Sequence, residues 1–332
     1  MTGGRARPWL ALLACLPGGC AGVQSALDPR GVEAERIWLL FWIATAFLGV
    51  VLVLTGAATL LSIAGTARIR RVLAADRFIV GAGLVVPVVS LTALLAGSLA
   101  LMAERPVSAG GPFQVRVVGE QWWWRVVYRL PDGTEFESAN ELRIPVGRPV
   151  ALTLESADVI HSFWVPNLAG KVDMIPGRRN PLTLHATKPG VSRGQCAEYC
   201  GGAHALMSFQ VVALEARDFD AWLAAERAPA TVDDGRSDRD QDAGAALFRR
   251  LGCGACHRIR GMATARGRIG PDLTHVGSRL SLGAATLPND EAAIARWIVD
   301  NQHIKPGNRM PPYRIVEGDE LARLAGFLAG LK

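Results

Sequence analysis

Charge is missing from two long stretches of this 332-residue chain: no residue from Ile37 to Ala67 is acidic or basic, and none from Phe78 to Ala103. Each run exceeds the roughly 20 apolar residues that carry a helix across a bilayer. A buried core helix seldom extends so far without one charge, so two membrane spans are expected, and a wholly soluble protein is disfavoured. The connector between the runs is nearly free of acid, with Arg68, Arg70, Arg71 and Arg77 against Asp76 alone. Short basic loops stay in the cytoplasm, so both flanks, including everything after Glu104, are expected outside it. In a Gram-negative cell that is the periplasmic side of the bacterial inner membrane. Internal repeats and low-complexity tracts are also absent. Part of the net charge of +6 comes from the connector and from Arg5 and Arg7, so the basic balance does not argue for nucleic-acid binding.

The chain begins with Arg5 and Arg7, a short apolar stretch from Trp9 to Leu16, and Pro-Gly-Gly before Cys20. This is the layout of a secretory leader, too short to span. Cys20 is a candidate lipidation site, although Pro17 stands where an aliphatic residue is usual in such leaders.

Helical signals are lacking between Phe113 and about Leu214. Short alternating runs separated by Gly, Pro and Asp turns, such as the Pro-Asp-Gly at 131–133, indicate a β-sandwich or barrel. Phe219 to about Arg227 reads as a short closing helix. Residues 228–240 are polar, charged and almost devoid of large apolar side chains, as in a flexible linker. Beyond them the pattern turns helical at Ala243–Leu251, Asp290–Asn301 and Asp319–Leu331. The expected organisation is a leader over 1–20, a transmembrane helix hairpin over 36–104, an all-β domain over 112–227, the linker 228–240 and an all-α domain over 241–332.

Cysteine is scarce, with six in the chain, and outside the leader it falls into two close pairs. Cys253-Gly-Ala-Cys256-His257 has the C-x-x-C-H spacing of covalent haem attachment: two thiols for the vinyl groups, and an imidazole on the next turn for the iron. A zinc or dithiol site would need further cysteines, which this region lacks. Met310, in a Pro-stiffened Asn-Arg-Met-Pro-Pro-Tyr stretch, is the candidate second axial ligand, with His275 and His303 as rivals; Met262 sits too close to the motif. His/Met ligation suits electron transfer rather than oxygen binding.

The second pair belongs to a cluster of soft donors. Cys196, Cys200, His204 and Met207 fall within twelve residues, and His161 lies upstream. Two Cys and two His would serve zinc. The thioether argues for copper, and a second thiolate exceeds what a mononuclear blue-copper site requires.

These residues carry two resemblances. The C-terminal segment, with its N-terminal helix, C-x-x-C-H, Gly270-Pro271, Met-Pro-Pro loop and C-terminal helix, resembles a class I cytochrome c; this implies that the Pro271 carbonyl accepts the His257 ring proton. Residues 37–215 resemble subunit II of haem-copper cytochrome c oxidases, through the two-helix hairpin, Gly119-Glu120-Gln121-Trp122-Trp123-Trp124, Asp158-Val-Ile-His161-Ser-Phe, Lys171-Val-Asp173-Met-Ile-Pro-Gly-Arg178 and the donor loop. The likeness implies a cupredoxin-like domain holding the binuclear copper centre CuA. Cys196 and Cys200 would bridge the ions, His161 and His204 would cap them, and Met207 and the Glu198 carbonyl would be weak ligands. It further implies Trp122 as the point where electrons arrive, and a magnesium or manganese ion reached by the Glu198 carboxylate at the border with subunit I, with Asp173 and Arg178 on the same face; for Trp123 and Trp124 the ordinary roles of a Trp triplet, core packing and an interfacial belt, are expected. Two positions depart from the pattern. Phe78, Ile79, Val80 and Gly81 stand where many relatives have a Glu at a proton-channel mouth, and Glu120 replaces a His.

A copper domain followed by a tethered cytochrome matches subunit II of caa3-type oxidases. The resemblance implies an electron-input subunit of a proton-translocating cytochrome-c oxidase, partnered by subunits I and III, and fed by a soluble cytochrome c or a cytochrome bc1 complex. The chain lacks a ligand set for the oxygen-reducing centre, so it holds no catalytic centre of its own. Two other readings stand beside it: a CuA-containing nitric oxide reductase subunit, and a membrane-tethered carrier without a catalytic partner.

Overall fold

The computed structural model describes residues 21–103, 113–230 and 239–332. The expected leader with Cys20, and residues 231–238 of the expected linker, lie outside the described residues. The chain divides into two compact units, Glu35–Pro106 and the remainder.

The first unit is built from the two uncharged runs. Helix α1 spans Val32–Ala64, short α2 covers Ala67–Leu73, and α3 (Asp76–Val80) leads through a π-helical turn at Gly81–Val85 into α4 (Val86–Ala103). Two spans, Val32–Ala64 and Asp76–Leu101, have the length and composition to cross a membrane, and the most apolar 18-residue stretch of each has no buried residue. Thr66 starts the connector helix by accepting the Ile69 N–H through its hydroxyl.

In the second unit, ten strands form two five-stranded sheets, in the orders β3-β2-β1-β5-β8 and β4-β10-β9-β6-β7. The strands are β1 (Gln114–Glu120), β2 (Trp123–Arg129), β3 (Glu135–Ala139), β4 (Glu141–Pro145), β5 (Val150–Ser156), β6 (His161–Trp164), β7 (Val172–Met174), β8 (Asn180–Leu184), β9 (Gly190–Cys196) and β10 (Ser208–Leu214). β1–β5 and β4–β10 pair in parallel and the other neighbours antiparallel, giving the cupredoxin-like sandwich that the alternating strands predict. The inward positions of both sheets supply the core: Trp124, Tyr128, Phe136, Leu142, Ile144, Leu154, Phe163 and Phe209 are almost fully buried. Trp124 stands at the centre, its ring 4.9 Å from Phe209 and 5.9 Å from Phe163, so this member of the Trp triplet is a core residue. Helix α5 (Ala216–Arg227) closes the sandwich by burying Phe219.

The expected linker is partly bound. Ala228 accepts the His275 ring at 2.9 Å, Ala230 donates to the Arg260 carbonyl at 2.8 Å, and the next helix, α6, already begins at Arg239. α6 (Arg239–Arg250) packs on α8 (Gly318–Gly330), with α7 (Glu291–Ile304) against α8. Gly244 permits the first crossing: a Cβ there would lie 2.4 Å from that of Phe327. Phe248, Ile294, Leu324 and Leu328 form the core of this small helical domain.

Candidate functional site

The soft donors converge because the sandwich register brings three chain segments to one end of the second sheet. His161 opens β6 and Cys196 ends β9, with Phe163 and Cys196 paired across the two strands. Cys196 N–H then bonds the Met207 carbonyl at 2.9 Å, and Ala197 N–H bonds the Ser162 carbonyl at 3.0 Å, so the loop returns its own last donor to the first. The sulfurs of Cys196 and Cys200 lie 3.7 Å apart. His161 Nδ1 is 3.8 Å from the Cys196 sulfur, His204 Nδ1 is 3.5 Å from the Cys200 sulfur, and the Met207 sulfur is 3.7 Å from Cys200. The Glu198 carbonyl completes the group, 3.2 Å from the Cys196 sulfur. All six donors anticipated from sequence are therefore gathered around one thiol pair.

The surroundings fit a metal. His161 is fully buried, and its Nε2 bonds the Asp158 carboxylate at 2.8 Å, which leaves Nδ1 turned toward the sulfurs. Gly119 makes room for the ring, since a Cβ there would come within 2.7 Å of Cδ2. Hydrogen bonding from Cys200 draws Cys196 down to about 3, while the same contact and burial push Cys200 up. Burial opposes the charged imidazole of His161, but Cys196 and Asp158 outweigh it and raise its pKa. Two adjacent thiols with converging imidazoles and a thioether form a soft donor set suited to copper.

A second cleft lies beside the first and is lined by Cys253, Cys256, His257 and Met310 with apolar side chains. The C-x-x-C-H turn follows the left-handed Gly252, and His257 N–H bonds the Cys253 carbonyl at 3.0 Å. His257 Nδ1 meets the Pro271 carbonyl at 2.8 Å, the contact implied by the cytochrome resemblance, so Nε2 is the nitrogen left for iron. Gly270 clears space for that ring, because a Cβ would stand 2.5 Å from Cε1. Burial drives His257 toward its neutral, ligating form. Met310 is fixed by its loop: its N–H bonds Asn308 Oδ1 at 2.9 Å, and its carbonyl accepts from Gln302 at 2.9 Å. The rival His275 is turned away to Ala228, and Met262 is buried in the helical core.

Trp122 lies between the two sites. Its indole N–H bonds the Cys200 carbonyl at 3.0 Å, which also accepts from Gln121 at 2.8 Å, and its ring lines the haem-attachment cleft. The ring rests against Gly201 on one side and Gly307 on the other, both at positive φ.

Several contacts around the two sites were not readable from sequence. Asp158 acts through His161. Glu120, the residue without an expected role, binds Arg125 at 2.6 Å, and Arg125 extends to Glu137 at 2.7 Å and to the Arg268 carbonyl at 2.7 Å. Arg268 in turn pairs with Glu137, tying the helical domain to the sandwich. Lys305 is buried at the same junction, its amine pushed by desolvation down to about 7. At the far side of the donor loop, Glu198 and Asp173 both approach Lys171, at 3.7 and 3.5 Å, while Arg178 is exposed.

Fold and site together define a membrane-anchored electron-transfer class: a sandwich with a soft donor cluster, contacted through the Trp122 indole and several polar links by a domain that carries the C-x-x-C-H turn. Comparison with known proteins narrows this class. Residues 134–214 match the model of cytochrome c oxidase subunit II, periplasmic domain, and residues 241–332 match that of cytochrome c. The cytochrome c oxidase subunit 2 of Alkalihalophilus pseudofirmus is 32% identical over 337 residues, spanning 97% of this chain and 96% of the relative. That of Bacillus subtilis is 31% identical over 75% of this chain and 70% of its own. Among solved structures, the periplasmic domain of subunit II of cytochrome oxidase of Bradyrhizobium japonicum is 32% identical, covering 36% of this chain and 95% of that one, with a TM-score of 0.32. The chain belongs to the cytochrome c oxidase subunit 2 family, in the form that carries a fused cytochrome c domain. Its two domains imply copper and haem c.

Proposed function

We propose that this chain is the electron-input subunit II of a caa3-type oxidase in the bacterial inner membrane. An external donor, such as a soluble cytochrome c or a cytochrome bc1 complex, reduces haem c, and the electron passes by way of Trp122 to CuA and on to haem a and the oxygen-reducing centre of subunit I, with proton translocation by the complex. The observation that carries this reading is the Trp122 indole, which bonds the Cys200 carbonyl while lining the cleft of Cys253, Cys256, His257 and Met310. The family membership favours the oxidase over a nitric oxide reductase subunit or a carrier without a partner.

In this reading Cys253 and Cys256 attach the haem, and His257 and Met310 ligate its iron. His161, Cys196, Glu198, Cys200, His204 and Met207 hold the two coppers. Copper held there would supply a one-electron redox couple. The chain's own residues do the rest. Asp158 holds the His161 ring with Nδ1 free, Pro271 does the same for His257 with Nε2, and the buried sandwich core keeps the donors in place as charge comes and goes. Glu198 and Asp173, converging on Lys171, offer the carboxylate oxygens that a hard magnesium or manganese ion at the border with subunit I would take. Subunits I and III are the partners in this reading, and no residue of this chain is assigned proton entry, since Phe78–Gly81 stand at the position of the usual channel acid.

The test is electron paramagnetic resonance and optical spectroscopy of the purified full chain, loaded with copper and haem. A mixed-valence binuclear signal that disappears in both Cys196→Ser and Cys200→Ser, beside a His/Met c-type haem that changes in Met310→Ala, is the expected result. A mononuclear or zinc-only product would refute the copper assignment.

A further inference from the structure

Lys305 follows the last turn of α7, is 2% exposed, and has no carboxylate at ion-pair distance among the described residues. An unpaired buried amine is costly, and such groups persist where hydrogen bonds satisfy them. Its Nζ donates to three backbone carbonyls: Trp122 at 2.5 Å, Leu206 at 2.8 Å and Gly283 at 3.1 Å. Three acceptors match the three donors of an ammonium. Two of them belong to the sandwich: one is the carbonyl of the bridging Trp122 itself, and the other is next to Met207. The third belongs to the helical domain.

The backbone of Lys305 is equally committed. Its N–H bonds Asn301 at 2.8 Å, and its carbonyl accepts the Asn308 side chain at 2.8 Å; that same side chain holds the Met310 N–H. Two residues on, Gly307 lies so close to the Trp122 ring that a Cβ would stand 3.2 Å from it. One short segment thus ties the Met310 loop, Trp122 and the copper loop to one another.

We propose that Lys305 is a positioning residue, a latch that holds the cytochrome domain docked over Trp122 in the geometry for transfer and so closes this face of the copper domain to external donors. The proposal rests on the functional reading above for what is transferred, but not for the docking itself. Electrons from outside then reach copper only through the haem.

Lys305→Met, which keeps the stem and removes every donor, and Lys305→Gln, which keeps a shorter donor, test this in the full-length chain. Amide hydrogen exchange, followed by mass spectrometry, reads docking directly and needs no metal. Lys305→Met should raise exchange in the peptides around Trp122, Leu206 and Gly283, leaving the sandwich and helical cores protected, with Lys305→Gln intermediate. In the loaded chain, flash reduction of the haem should show transfer to copper slowed about tenfold or more, since the loss of all three Nζ hydrogen bonds, with three carbonyls left unsatisfied, shifts a docked population by at least that factor. A soluble cytochrome should meanwhile gain direct access to copper. Unchanged exchange at all three segments, or unchanged transfer with copper still shielded, overturns the latch. If the wild-type chain fails to show the copper and haem signals, the functional reading falls, and the exchange experiment still decides the docking.

Discussion

Replacing Asp158 by Asn changes one atom and no volume, yet the structure leaves the new amide no satisfactory orientation. Oδ2 accepts the Gln121 N–H at 2.7 Å; Oδ1 accepts the Val159 N–H at 2.8 Å and the His161 Nε2 proton at 2.8 Å. All three partners donate. An Asn nitrogen placed at the first position orphans the amide preceding Trp122; placed at the second, it confronts two donors and invites His161 to move its proton to Nδ1, the nitrogen facing the sulfurs. One unsatisfied donor in this half-buried site costs about 1–3 kcal/mol. The loss of the group orienting a metal-bound His typically costs ~10–100-fold in affinity. Asp158→Asn should therefore unfold a few degrees lower when copper-free, and should yield copper to a competing chelator at concentrations roughly one to two orders of magnitude lower. The sign with pH is fixed. Burial raises the Asp158 pKa, but the Gln121 amide, His161 and the Val159 amide outweigh it and hold the carboxyl below its ordinary range. Its contribution is present above about pH 4 and is lost as pH falls through the folded value, so the stability gap between wild type and Asp158→Asn should close in acid. Wild-type copper affinity together with wild-type stability in the variant at pH 7 would refute the reasoning.

Other perturbations follow from the same contacts. Gly119→Ala should displace the His161 ring, because its Cβ would sit 2.7 Å from Cδ2, weakening or abolishing copper binding while the haem spectrum is retained. Gly270→Ala should do the reverse, crowding His257 from 2.5 Å and disturbing axial ligation with the copper signal intact; absorption spectra of the two variants check both. Glu137→Gln removes an acid, 5% exposed, that Arg268 and Arg125 hold below its usual pKa against the opposing effect of burial. It should loosen the domain junction by about 1–3 kcal/mol, discounted because Arg268 is largely exposed. That difference in exchange protection should shrink as pH falls below the ordinary glutamate range and disappear only once it passes the lower folded value, where wild-type Glu137 also loses its charge.

The sandwich, the helical domain and the two donor clusters were legible because each is written locally. Alternation with Pro-Asp-Gly punctuation marks strands, and Cys196 to Met207 or Cys253 to His257 place donors within one loop or turn, where covalent spacing fixes the geometry. His161 stood out as an upstream donor of the right type, but nothing in spacing alone joins it to a loop 35 residues away; the family resemblance assigned its partners. Asp158 was visible as a neighbour of His161 but not as the acceptor of three donors, since that depends on the turn that brings Gln121 across. The start of α6 was missed because Arg239 to Asp242 carry no apolar residue to mark a helical face, and the bound segment Ala228–Ala230 looked like linker because its contacts are made by backbone groups.

The junction between the domains was the least legible part, and the reason bears on how it works. Its contacts run largely from charged side chains to carbonyls and carboxylates: Arg143 to Ser278, Arg193 to Ala285, Arg260 to Glu226 and Arg227, Leu280 N–H to Glu141, and Lys305 to three carbonyls. Backbone carbonyls carry no residue identity, so sequence pattern cannot announce them. Polar junctions within a chain are also the kind that permit relative motion, being closer to transient interfaces than to a core. A tether keeps the effective concentration of the second domain high, so docking needs little intrinsic affinity. What such a junction must supply instead is register, and Trp122 is where register matters: held through its indole N–H by Cys200, through its carbonyl by Lys305, and against its ring by Gly307, it is fixed from both domains at once.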